Sequence, residues 1–355
     1  MTLQILTDDI GSFPLPIGVS REEINRAAML AHRMMVRKTS VSTLGQNKFL
    51  QQKFIRPVVN AFELKGQTGL SWPNYPQFRD MNRQFLDLLD SDLSIKPENA
   101  LIPEVEVLRD YARTKYDQTG EKTLCRVCIT GPVELGLQLF GAHLTPDILA
   151  LLADSVAKFV QNYSIVTEYF EVPLIAIDDP SLGIRDLPAL EDPDITAALS
   201  EATTYADDRE IFIHLHSLTR LKPVLEVPNI TIIGGEFAGT PDYLSFLSKD
   251  LLREYDKKAR AGIAITSLDS LVIHYAELHG MNPGTLYQTP ALLLDALESV
   301  EDVRTHFQLV LDKLGSYVTI AGPDCGFGAW ISQELALETL RRVVTAIESM
   351  NNLLK

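Results

Sequence analysis

Cysteine is scarce in this chain. Three in 355 residues, at positions 125, 128 and 325, do not make a disulfide framework and fit a reducing cytoplasm. No apolar run reaches the ~18 residues that a membrane-spanning helix needs. Residues 1–9 also lack the charged stretch and apolar core of a secretory signal. Positive charge is in deficit, with 32 Lys and Arg against 47 Asp and Glu and a formal net charge of −15. No basic face is therefore available to neutralise nucleic-acid phosphates, and an anionic membrane surface would repel the chain. No Gly-x-Gly-x-x-Gly follows the first strand and no Walker motif is present, which removes support for a nucleotide-binding fold. Low-complexity tracts, short-period repeats and long linkers are missing too, so a single domain spanning 1–355 in the cytoplasm is expected.

What remains is an ordinary globular composition, 46% hydrophobic and 22% charged, arranged as an alternation. Strands are expected at 3–6, 124–130, 174–178, 211–216, 229–236, 261–266 and 316–325, with a weaker extended segment at 67–72. Helical periodicity covers 21–36, 47–64 (interrupted by Pro57), the stretch holding Phe85 to Leu89, 146–170, 195–205, 242–255, 290–314 and 333–350. Strands separated by helices imply parallel pairing with right-handed crossovers. Eight such strands predict an α/β fold of one (β/α)₈ TIM barrel.

Three of these strands run out into side chains that bind metals. The run Ile211, Phe212, Ile213 leads into His214 and His216, and residues two apart on a strand point to one face. The next strand finishes on Glu236, and the last leads to Cys325. Each has an ordinary explanation alone: an incidental His pair, a solvated loop carboxylate, a small buried hydrophobe. Together, at the carboxyl ends where α/β folds build their sites, His214, His216, Glu236 and Cys325 form a ligand set for tetrahedral Zn²⁺. Gly11 and Ser12 end the first strand, offering backbone N–H groups and a hydroxyl, or else a plain turn. Cys125-x-x-Cys128 lies inside a β-prone run, where residues three apart face opposite ways, so two core cysteines are the simpler reading.

Residues 10–14 (Ile-Gly-Ser-Phe-Pro), Arg79-Asp-Met, Thr130-Gly-Pro-Val, Ile177-Asp-Asp-Pro, His214-x-His216, Glu236-Phe-Ala and Gly322-Pro-Asp-Cys-Gly come in the order seen in cobalamin-independent methionine synthases. Over nearly its whole length the chain resembles the short "core" members of that family, which have only the catalytic barrel. The resemblance implies a TIM barrel whose zinc activates a thiol, homocysteine, for attack on a methyl group. It implies His214, Glu236 and Cys325 as ligands, with His216 where the family usually has a cysteine. An imidazole there leaves the metal more Lewis acidic than a thiolate does. By the same resemblance Asp178 grips the substrate's amino group, with Gly11 and Ser12 also on the substrate. Asn74-Tyr-Pro-Gln77 replaces the family's Asp-Gly-Glu, which held a second amino-gripping carboxylate. A methyl-corrinoid or its carrier protein is the implied donor, since the chain has no room for the extra barrel of the folate-using enzymes. Two alternatives stay open: an alkyltransferase or lyase acting on another thiol such as coenzyme M, and a zinc hydrolase of amidohydrolase type. The hydrolase normally carries its His-x-His on the first strand, and this chain's first strand has none.

Overall fold

In the computed structural model, which describes residues 4–353, seven parallel strands form one curled sheet. They are β1 (Leu6–Thr7), β2 (Val127–Thr130), β3 (Leu174–Asp178), β4 (Glu210–His214), β5 (Ile232–Glu236), β6 (Lys258–Gly262) and β7 (Val318–Gly322). Each from β3 to β7 pairs in parallel with the strand before it, and β1 pairs with β7. First and last strands thus lie side by side, as curling demands. Every residue of β2 and β3 is buried, which is why these runs are continuously apolar rather than alternating.

The expected eighth strand does not form. Residues 71–77 lie between β1 and β2 but touch them only through single bridges, Asp8 with Trp72 and Asn74 with Arg126. Pro73 and Pro76 explain this, because neither has an N–H to donate to a ladder. The amides that remain are used: Trp72 N–H donates to Thr7 O (2.9 Å), and Arg126 N–H donates to Pro73 O (3.0 Å).

Several element limits differ from expectation for local reasons. The first strand begins at Leu6, and Leu3 lies outside the described residues. The helix expected over 47–64 breaks into Lys48–Leu50, a π turn Gln51–Ile55, and Arg56–Gly66, with Pro57 seated where a helix start tolerates it. The stretch 290–314 divides where Ser299 caps Val300–Leu314 in a reciprocal box with Asp302. The helix expected over 242–255 is a 3₁₀ segment, Pro241–Phe246, followed by Lys249–Glu254. The helix from Pro146 ends at Tyr163, and Phe170 instead pairs with Thr123 in a two-stranded ladder. Two helices were not anticipated at all, Pro103–Thr119 and Leu268–His279. Among the described residues no helix is long and apolar enough to cross a membrane.

Below the carboxyl ends of the strands, the interior of the sheet holds charge. Asp8, Arg126 and Arg260 are fully buried. Arg260 Nε and Nη2 each lie 2.9 Å from Asp8 Oδ1, and Arg126 Nε lies 3.4 Å from Oδ2. Both guanidinium groups lie over the Phe212 ring, at 5.3 and 5.5 Å from its centroid. Arg126 also donates to the carbonyl of Asp9, whose carboxylate takes the buried Lys65 ammonium at 2.6 Å. Removing one partner of a buried pair leaves the other charge unanswered at a cost of about 3–5 kcal/mol. Asp8→Ala is therefore expected to lower unfolding stability by about that amount in denaturant titration; a loss below about 1 kcal/mol, the scale of a surface pair, would contradict this account.

Candidate active site

The parallel register sets the site. Asp178 pairs with His214, and His214 with Gly234, so the ends of β3, β4 and β5 form one row. Glu236, two residues on, is the last residue of β5. His216 lies two residues beyond β4 and Cys325 three beyond β7, in the turns that leave the sheet. One ligand atom from each of His214, His216, Glu236 and Cys325 lies within 4.8 Å of all the others. Cys325 Sγ is 3.4 Å from His216 Nε2, and Glu236 Oε1 is 3.5 Å from that same nitrogen. Ligand atoms around a tetrahedral ion with bonds of ~2.0–2.3 Å stand roughly 3.3–3.8 Å apart. The four expected ligands are together, at nearly the spacing a metal ion imposes.

The surroundings also fit a metal ion. His214 is buried, and its Nε2 has no hydrogen-bond partner among the described residues. Burial, then the neighbouring His216, Arg260 and Arg126 charges, hold its pKa well below the usual histidine value, so its ring is the neutral form that ligates metals. Burial raises the Cys325 thiol, and the Glu236 and Asp178 carboxylates raise it further. Glu236 is likewise pushed up by burial, with His216 acting the other way. A divalent cation at this point answers both: it stabilises the thiolate and the carboxylate and takes the orphaned lone pair of His214.

Asp178 adjoins the ligands, with Oδ1 3.9 Å from His214 Nε2 and without a hydrogen-bond partner. Its Oδ2 takes the Cys128 S–H at 3.6 Å. Burial lifts the Asp178 pKa to about 6. Cys128 and Cys125 are both buried; the Cys125 S–H donates to Arg126 O, so neither makes a Cys-x-x-Cys centre. Ser12 packs against the turn after Cys325: its carbonyl accepts from Phe327 N–H (2.8 Å) and its Oγ from Gly328 N–H (3.3 Å). A side chain at Gly326 would come within 2.0 Å of that hydroxyl. Gly11 is set apart from the ligands, turned at φ +127° with its carbonyl on Gln77 N–H, and a Cβ there would strike Asn74. An open cleft of about 470 Å³, lined by His216, Glu236 and Cys325 together with Thr240, Thr266 and Ser270, gives access from solvent.

Asp324 was not anticipated as a site residue. Its carboxylate accepts from Ala238 N–H (3.1 Å) and Gly239 N–H (2.6 Å), so the residue beside Cys325 ties down the turn that follows Glu236. Burial pushes its pKa to about 8. The sequence signal was only its adjacency to Cys325.

If these four side chains hold one ion, Cys325→Ser and His214→Ala should each weaken Zn²⁺ binding at least about tenfold in competition with a chelating dye. His216→Cys, which keeps a ligand, should retain it. Affinity should fall as pH is lowered, because a proton competes for the Cys325 sulfur. Unchanged Zn²⁺ affinity in both Cys325→Ser and His214→Ala would exclude this ligand set.

A scan against protein-family models and a search of curated proteins returned no match. Solved structures do match. A B12-independent methionine synthase from Shewanella sp. W3-18-1, determined in complex with selenomethionine, superposes with a TM-score of 0.61 at 14% identity, over 99% of each chain. A methyltransferase from Methanosarcina mazei superposes with a TM-score of 0.54 at 11% identity, over 96% of this chain and 94% of its own. From end to end, the chain shares the fold of these two enzymes.

Proposed function

We propose that the chain is a zinc-dependent thiol S-methyltransferase of the methionine-synthase type, acting on homocysteine with a methyl-corrinoid as donor. The observation that carries this reading is the convergence of two imidazoles, a carboxylate and a thiol beside a buried carboxylate, at the carboxyl ends of the strands. The full-length likeness to a methionine synthase and a methyltransferase supports it. So do the motifs at residues 10–14 and 322–326. On this reading residues 71–77 stand in for the eighth strand of a closed barrel, and the open cleft beside Cys325 admits the donor.

His214, His216, Glu236 and Cys325 would hold zinc. Bound there, zinc supplies the Lewis acidity that lets a substrate thiol lose its proton near neutral pH. The chain's own groups do the rest. Asp178 accepts hydrogen bonds from the substrate's ammonium and fixes the sulfur's approach. Asp324 holds the turns carrying Glu236 and Cys325 in place. Sulfur forms its bond to the methyl carbon as the carbon–donor bond breaks, and the thiol proton leaves to solvent.

Adding homocysteine to the zinc-loaded protein should release about one proton per chain, measured with an indicator dye in weak buffer. Asp178→Asn should weaken homocysteine binding by about tenfold or more, since a charge-assisted hydrogen bond contributes about 1.5–3 kcal/mol. Homocysteine binding without proton release would contradict the thiol-activation reading. Unchanged affinity in Asp178→Asn would remove that residue from the substrate.

A further inference from the structure

Beside Asp178 is a second set of polar groups that the ligand cluster does not use. Asp179 follows Asp178 at the end of β3, and Glu134 lies in the first turn of the helix Pro132–Phe140, which leaves β2. The Glu134 N–H donates to Asp179 Oδ1 at 2.7 Å, which fixes the two residues against each other. Asn82 reaches in from the loop before residues 83–86, and its Nδ2 donates to Glu134 Oε1 at 3.0 Å. The loop itself is anchored by Thr130 Oγ1, at the end of β2, which donates to Met81 O at 2.7 Å. All four side chains are at least nine-tenths buried, with exposures of 9% for Glu134, 6% for Asp178, 0% for Asp179 and 8% for Asn82.

Their unpaired atoms are all acceptors. Glu134 Oε2, Asp178 Oδ1, Asp179 Oδ2 and Asn82 Oδ1 are buried and have no hydrogen-bond partner. A buried acceptor without a donor costs about 1–3 kcal/mol, more when it is charged, so four in one place describe a site shaped around a missing donor. The Glu134 charge adds to burial in raising both Asp178 and Asp179, so the three carboxylates feel one another. Arg126 is the one cation felt at Asp178, and its side chain is already engaged with Asp8 and with the carbonyl of Asp9. Among the described residues these carboxylates do not converge as closely as the His214–Cys325 set does, so a bare metal ion is the poorer fit. A primary ammonium, with several N–H donors and longer bonds of ~2.8–3.0 Å, is the better one.

We infer that Glu134, with Asn82 behind it, forms with Asp178 a subsite for a primary ammonium, and so selects an aminothiol over a thiol with an anionic tail. The inference rests on the thiol-transfer reading and names the class of thiol that the site accepts. Three buried carboxylates repel a sulfonate or carboxylate placed among them, whereas an ammonium supplies every donor the four acceptors lack. Glu134 acts as a specificity-determining residue, one the ligand motifs do not reveal.

The test compares homocysteine with 4-mercaptobutanoate, the same thiol without its amine, by titration calorimetry on the zinc-loaded protein. Wild type should bind homocysteine at least about tenfold more tightly than the amine-free thiol. Glu134→Gln should erase most of that preference by weakening homocysteine alone, and Glu134→Asp should restore part of it. Equal affinity of wild type for both thiols would overturn the inference while leaving thiol binding intact, and this comparison needs no variant to fold. An equal loss for both thiols in Glu134→Gln, with unchanged zinc content, would reduce Glu134 to a structural role and also overturn it. If neither thiol binds, the thiol-transfer reading fails first and the inference with it.

Discussion

A carboxylate sealed inside a sheet must be answered within reach of its own oxygens, and Asp8 is answered by Arg126 and Arg260. Those residues come from three places around the curled sheet: just past β1, just before β2, and within β6. One buried anion therefore ties together the two ends of the curl and a strand in its middle. Phe212 fills the space under both guanidinium groups, and His214 follows it two residues later at the end of β4. The charge that closes the fold is thus the layer directly beneath the ligands, and its field helps keep His214 unprotonated.

From that layer upward the site consists of groups that burial has made uncomfortable. A thiol and a carboxylate are raised by desolvation, an imidazole nitrogen lacks a partner, and a second row of carboxylates presents bare acceptors. Each of these is a cost in the empty protein. All are relieved by the same kind of visitor, a cation: a metal ion in the first place and an ammonium in the second. The acidic composition that excluded nucleic acid from the start has a local counterpart here.

Much of this was legible in the sequence. Parallel strands alternating with helices, and strand ends finishing in His214, Glu236 and Cys325, followed from periodicity and from the rule that α/β sites form at carboxyl ends. Convergence of residues 214 and 325 across more than a hundred positions was inferred from topology alone. The missing eighth strand was legible only in part: Pro73 and Pro76 were visible, but their effect on a ladder depends on which amides face β1 and β2. Helix Leu268–His279 carries polar residues on most faces and gave no clear stripe. Asn82 and Glu134 escaped notice because neither lies in a metal or nucleophile pattern. Their meaning comes from being buried without donors, a property of three-dimensional packing that spacing in the chain does not encode.

X-ray absorption at the zinc edge tests the central claim most directly, since it counts the atoms around the metal in the intact protein. The account predicts a first shell of one sulfur with nitrogen and oxygen donors, imidazole scattering from two rings, and a second sulfur when homocysteine is added. A shell without sulfur, or one that homocysteine leaves unchanged, would contradict it.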